Sequence, residues 1–311
     1  MGDYILKRLA TSLLVLFALA TASFFIIHFV PGDPVRQMLG SSANPEMIEK
    51  TRHVLGLDQA LPQQFAHFLF KTFTGDFGDS LSLGAPISSL IGNRVMPSVI
   101  LIIYGVLIAL VIGIPLAILS ALRPQSVIDN AVLVMTTFTF AMPQFWLGLV
   151  LALVFGLFLN MFPVSGYEGG IGGILQTLTL PAFTLGLSLV AMVVRTLRAR
   201  LLDVLGSEYI EAARARGLSE MRVVGKHAMR NAFMTTLTLL SVQIGFLIGG
   251  TVVIEHVFQI PGIGSLLLES ILRRDYPLVE IIAVLSGAAV VLVGLLADLL
   301  LFILDPRVRM A

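Results

Sequence analysis

Residues 195–231 read RTLRARLLDVLGSEYIEAARARGLSEMRVVGKHAMRN, a strongly charged island between two long apolar runs. Eight of the chain's twenty Lys and Arg residues lie in it. Outward from the island the chain is greasy. Its 311 residues are 57% hydrophobic and 13% charged, where a soluble domain carries about 25% charged residues. Together with apolar runs of crossing length, that deficit places the chain among polytopic membrane proteins.

Each crossing of the hydrocarbon needs roughly 20 apolar residues. Six runs qualify: 9–30, 95–122, 131–163, 175–194, 232–254 and 281–304, the last interrupted by Asp298. Helices are the natural choice, because backbone polar groups in lipid must be satisfied within the segment. The first run begins like a signal peptide, with Lys7 and Arg8 before it and Ala18-Leu19-Ala20 inside it. It stays apolar through Val30, too far for a signal h-region, so it reads as an uncleaved span. With the N-terminus inside, inner segments hold thirteen Lys and Arg and outer segments seven. Five of those seven sit in the long loop 31–94, which crosses with little regard to charge. The expected fold is therefore all-α: a polytopic membrane protein with six transmembrane helices and both termini cytoplasmic. It divides into 1–94, a first helix with a large periplasmic or extracellular loop, and 95–311, a five-helix core carrying the cytoplasmic loop 199–231.

Composition also excludes chemistry. There is no cysteine, so disulfides, thiolate catalysis and Cys-ligated metals are out. The five histidines lack ligand spacing. A net charge of +1 gives no case for nucleic acid. No GxxxxGK[ST] phosphate loop, HExxH or Ser/His/Asp set is present, and no carboxylate pair falls in a plausible pocket. The chain shows neither catalytic residues nor an energy source, which points to energy supplied by a partner.

In the outer loop, Asn44 is placed to cap a short helix from Pro45. Residues 61–73 form another, with Phe65, Phe68, Leu69 and Phe73 on one face. The Gly-rich turn 74–80 carries aspartates without EF-hand spacing. This loop reads either as a stiffening cap or as part of a docking surface for a delivering protein. Residues 265–272, after the turn at Pro261-Gly262, are too short to span and suggest a re-entrant or interfacial helix.

An ionisable residue inside the bilayer is a functional hypothesis by default. Asp298 is read as a structural acid, since a proton relay needs several such groups. Gln144 and Gln243 either hydrogen-bond between helices or face a hydrophilic translocation path. Gly245 and Gly249 form a GxxxG that allows close helix contact. Kinks are expected at Pro143 and at Gly113 with Pro115.

Within the island, Ser207 is expected to cap a helix over 208–216, with Glu208 and Glu211 early and Arg214 and Arg216 late, as the dipole favours. Gly217 allows a left-handed turn. Ser219 then caps a second helix over 220–231, with Arg222, Lys226 and Arg230 as one basic stripe. Ala212, Ala213 and Ala215 give the first helix a small-residue surface that admits close approach by another protein.

Glu211-Ala212-Ala213, three residues, then Gly217 resembles the EAA loop of ABC-importer membrane subunits. The family's usual Ile and Leu-Pro ending is absent; His227-Ala228-Met229-Arg230-Asn231-Ala232 stands there, a variant typical of the peptide/nickel branch (dipeptide/oligopeptide permease B-type). Other passages resemble that branch: Pro31-Gly32-Asp33-Pro34, Gly56-Leu57-Asp58, Gly75-Asp76-Phe77-Gly78, Met142-Pro143-Gln144-Phe145-Trp146, Ile254-Glu255, Pro261-Gly262-Ile263-Gly264, Arg274-Asp275-Tyr276-Pro277 and Asp305-Pro306-Arg307-Val308-Arg309.

The resemblance implies a type I importer permease of the bacterial inner membrane, non-catalytic itself. It implies pairing with a second homologous permease subunit, two ATPase subunits that bind ATP and Mg, and an extracytoplasmic substrate-binding protein. The implied cargo is di- or oligopeptide, with nickel chelates, glutathione, oligosaccharides or haem as alternatives. Glu211, Ala212, Ala213, Arg214, Arg216, Gly217 and Glu220 are the expected contact with the ATPase. Readings from other classes are an ion-coupled secondary transporter using Asp298, and a membrane scaffold with the island as its platform.

Overall fold

The structure is a computed structural model that describes residues 2–28, 35, 44–54, 56–80 and 82–304. It begins with α1 Gly2–His28, α2 Pro45–Val54 and α3 Leu61–Thr74. A short antiparallel hairpin follows, β1 Asp79–Ser80 with β2 Ala85–Pro86, pairing Asp79 with Pro86 and Ser80 with Ala85. Next come α4 Ile87–Leu122, α5 Val127–Ala141, α6 Gln144–Leu151 with a π-helical continuation Ala152–Phe158, α7 Gly170–Thr177 and α8 Thr179–Leu205. The chain continues through α9 Glu208–Ala215, α10 Glu220–Arg222 with π-helical Val223–Ala228, α11 Met229–Val257, α12 Ile263–Leu272 and α13 Tyr276–Leu304. The motifs 31–34 and 305–309 lie outside the described residues.

Among the described residues, five helices are long and apolar enough to cross a membrane: Leu6–Ile26, Ile87–Leu122, Thr179–Leu205, Glu220–Val257 and Tyr276–Ile303. A sixth exists only as a broken pair. The run expected to cross as one segment over 131–163 bends by 106° between α5 and α6 with its continuation. Pro143 causes the break. It has no N–H to donate, and it drives the residue before it out of the helical region. Met142 is accordingly extended, at φ −82° and ψ 135°. At Gly113 and Pro115, the other expected kink, α4 stays helical. There the glycine serves contact: a Cβ on Gly113 would lie 2.9 Å from Val193 Cγ1.

The chain divides into two units, Met1–Ser98 with Pro261–Val291, and Val99–Ile260 with Leu292–Ala311. In the first, Phe24 of α1 meets Phe65 and Phe68 of α3 at ring-centroid distances of 5.3 and 5.6 Å. Phe73, expected on the same face, is exposed. Asn44 Oδ1 accepts from the Glu46 N–H at 3.2 Å, the expected cap of α2. Asp275 is fully buried and ties the hairpin to the start of α13. Its carboxylate accepts from Ser80 Oγ, from Ser82 Oγ at 2.7 Å, from the Ser82 N–H at 3.2 Å and from the Leu278 N–H at 3.4 Å.

The second unit is organised around α8, whose buried residues face several neighbours at once. Leu185, Leu189 and Val193 share one core with Leu101 and Ala109 of α4 and with Leu240, Leu247 and Ile254 of α11. The backbones of α4 and α8 nearly touch: a Cβ on Gly186 would lie 2.8 Å from the Gly105 carbonyl oxygen. Burial rather than propensity holds such a helix in place. Because α8 runs to Leu205, the first residues of the charged island belong to this helix and not to a loop.

Candidate functional site

Two residues, Gly206 and Ser207, link α8 to α9. Ser207 is extended, and its carbonyl accepts from the Ile210 and Glu211 N–H groups at 3.0 and 3.3 Å. Its hydroxyl turns back to donate to the Val204 carbonyl, so the expected side-chain cap is absent. The same holds for Ser219, which starts α10 through its carbonyl alone. Glu208 and Glu211 lie in the first turn of α9 and Arg214 in its last, complementing the helix dipole.

The C-terminus of α9 is a Schellman closure. The Leu218 N–H reaches the Ala213 carbonyl at 3.4 Å, and the Gly217 N–H reaches the Arg214 carbonyl at 2.9 Å. Gly217 has φ 78°, the left-handed conformation its position in the sequence predicts. Outside the turn, Arg214 grips the Glu220 carboxylate with Nε to Oε1 at 2.7 Å and Nη2 to Oε2 at 3.4 Å. That hydrogen bond holds the Arg214 pKa above its ordinary value. Asn231 Nδ2 donates to the Tyr209 hydroxyl at 2.8 Å, tying α9 to α11.

The helix has two faces. Ile210 and Ala213, three residues apart, turn inward and are buried with Ala117 and Ala121 of α4, Leu197 and Leu201 of α8, and Val223, Ala228 and Ala232. Glu211, Ala212, Arg214, Ala215, Arg216 and Gly217 are exposed, as is Glu220 beyond the turn. Ala213, expected on the small-residue surface, is instead part of the chain's own core at 8% exposure, so only Ala212 and Ala215 are left to supply that surface. The second island helix is also irregular. Val223–Ala228 is π-helical, its wider turn leaving Arg222, Lys226 and Arg230 all outside the buried core of the island.

The mounting of this loop rests on residues that the motif reading passes over. Arg198 of α8 grips Asp129 of α5 as a fork, with Nε to Oδ1 and Nη2 to Oδ2 both at 2.6 Å. Asp129 is 1% exposed. Ser120 of α4 donates to the same carboxylate and accepts from Arg198 Nε at 3.0 Å. The Gln125 N–H adds a bond to Asp129 Oδ2 at 2.8 Å. One turn earlier on α8, Arg195 Nη2 donates to Thr137 Oγ1 at 2.9 Å and its guanidinium lies 5.4 Å from the Phe140 ring centroid. The clue in the sequence is a pair of arginines three apart at the end of an apolar run.

Of the candidates within the spans, Gln144 makes a helix contact, donating from Nε2 to Ser188 Oγ on α8 at 3.2 Å. Gln243 is half-buried on α11, and Asp298 is half-buried on α13. Gly249 is exposed, and a Cβ there would meet nothing within 4 Å, so it is not a packing contact within this chain. No group of three or more His, Cys, Asp or Glu residues forms a metal cluster among the described residues.

Residues 113–310 match the family described as "Binding-protein-dependent transport system inner membrane component", and residues 1–114 match its N-terminal region. Over 99% of its length the chain is 33% identical to "Probable peptide ABC transporter permease protein y4tP" of Sinorhizobium fredii, covering 100% of that protein. It is 36% identical to the glutathione transport system permease protein GsiC of Escherichia coli K12, covering 99% of each. Among solved structures, an inward-facing conformation of the MetNI methionine ABC transporter matches with a TM-score of 0.60 at 17% identity, over 71% of this chain and 98% of that one. That likeness shows a shared type I importer fold. The chain belongs to the inner-membrane components of binding-protein-dependent transport systems, the multi-pass permease subunits of bacterial ABC importers.

Proposed function

We propose that this subunit imports di- or oligopeptides, and that α9 is where it receives work from ATPase subunits. A second, homologous permease subunit completes the translocation path as a heterodimer. Two ATPase subunits bind ATP and Mg on the inner side, and a substrate-binding protein delivers cargo from the outer side. Closure of the ATPases pushes on α9, and the two permease subunits rock between inward- and outward-open states.

The observation that carries this reading is the build of α9. Ile210 and Ala213 pin it to the core of the second unit, while Glu211, Ala212, Arg214 and Arg216 face outward on a turn that Gly217 permits. A helix that is anchored on one face and exposed on the other passes on a push instead of absorbing it. The names of two relatives favour the cargo, since glutathione is itself a short peptide. Glutathione is therefore the alternative cargo with most support, ahead of nickel chelates or haem.

Gly217→Val in the assembled transporter tests the coupling role. Valine at φ 78° opposes the turn by about 1–2 kcal/mol, displacing the Schellman closure. The expected result is an assembled complex that hydrolyses ATP but no longer imports. Unchanged coupled import would sink the assignment.

A further inference from the structure

We infer that Arg195 and Arg198 are positioning residues that strap α5 to α8, so that displacement of α9 carries α5, down to its break at Met142–Pro143, as one body with α8. The inference rests on the coupling role proposed for α9 and extends it to the element that moves next.

α5 lies outside the core that mounts α9. Through Ile210 and Ala213, α9 shares a core with Leu197 and Leu201 of α8 and with Ala117 and Ala121 of α4. Packing joins α4 and α8 to α9, and the short link Gly206–Ser207 joins α8 to it as well. α5 also runs along α8, but it buries few side chains there. Of its residues only Asp129, Val132 and Thr136 are buried, while Val127, Val134, Met135, Phe138 and Phe140 are exposed. Besides the aspartate, Val132 and Thr136 are the buried part of that contact, on a helix about 22 Å long.

The arginines supply the rest, and they do so at both ends. Arg198 forks onto Asp129 in the first turn of α5. Arg195 reaches Thr137 and Phe140 near its last turn. The two anchor points, Asp129 and Thr137, lie about 12 Å apart along the helix. One anchor would let α5 pivot; two fix its direction as well. A planar guanidinium gripping a carboxylate at two atoms resists rotation where an ammonium would not. Ser120 and the Gln125 N–H also bond to Asp129, fixing its carboxylate from two further sides. Beyond the break, Gln144 returns to α8 at Ser188, so the bent pair is tied to α8 on both sides of Pro143.

The chain has no cysteine, which permits site-directed spin labelling. Labels go on Val134→Cys of α5 and Asp203→Cys of α8, both exposed, in the full complex with cysteine-free partners. The expected result is one distance distribution, unchanged between the nucleotide-free and ATP-trapped states. In Arg195→Gln with Arg198→Gln that distribution broadens, and substrate imported per ATP hydrolysed falls about tenfold, within the usual range of site-to-site coupling. A native distance that changes between states overturns the strap. So does a variant whose import falls only in step with the amount of assembled complex, or whose import per ATP is unchanged. Should Gly217→Val keep coupled import, the coupling reading fails. Should Gly217→Val uncouple while the native distance shifts, only the strap fails.

Discussion

Arg195 and Arg198 use their charge differently from Arg214, Arg216 and Arg222, although one run of sequence carries all five. The first two are drawn onto α5, where one meets a carboxylate that is 1% exposed. The others lie on α9 and just past it, exposed. A buried ion pair and a solvated one look alike in a charge count. They part ways once one partner is removed: the first leaves an uncompensated charge away from water, the second a rehydrated side chain.

Asp129→Ala should therefore have the largest effect on stability. It leaves the Arg198 guanidinium facing Ser120 alone, and breaking a buried pair in this way costs about 3–5 kcal/mol. Thermal unfolding of the solubilised complex should show a clear loss, while Arg216→Ala leaves the transition where it was. Equal transitions for the two variants would erase the distinction between the two groups of arginines.

The next test moves to the faces of α9. Ala213→Leu forces extra volume into the core formed with Ala117, Ala121 and Ile210, at a cost of about 1–3 kcal/mol. Ala212→Leu points outward and should leave stability within about 0.5 kcal/mol. On the proposed coupling surface, however, it should obstruct the approaching partner and lower import. Assembly yield and import measured side by side separate the two. A fall in assembly for Ala212→Leu and none for Ala213→Leu would reverse the orientation of the helix.

Much of the fold is open to reading from the sequence, for local reasons. Gly217 closes a helix and needs a left-handed φ, which only its neighbours in sequence decide. Asn44 before Pro45 caps for the same reason. The inward face of α9 is harder to read: Ile210 marks it and Ala213 sits three residues on, yet the sequence puts Ala213 with the outward alanines. A run of small residues obscures that periodicity. Asp129 and Arg198 are 69 residues apart, so no local pattern links them. Topology counting assigns Arg198 to a loop because it assumes that α8 ends where charge begins. The break at Met142–Pro143 is foreseeable as a kink, but its size depends on what α6 packs against. The π-helical stretches are not foreseen, because they are rare insertions into otherwise α-helical segments.

The smallest effect is expected at the Arg214–Glu220 pair, and there the comparison is sharpest. This pair bridges the Gly217 turn from outside, with its side chains 40% and 59% exposed. Exposed pairs contribute about 0–1 kcal/mol. Without it the turn stays closed, because the Leu218 and Gly217 N–H groups still reach the Ala213 and Arg214 carbonyls. Arg214→Gln and Glu220→Gln should each leave assembly intact and lower import per ATP by about fivefold at most, the limit set by a pair of this kind. If the pair works by steadying the turn, the two losses are equal, since either change removes the same bond. A loss confined to Arg214→Gln would mean that the guanidinium itself meets the partner, and that steadying the turn is left to the backbone.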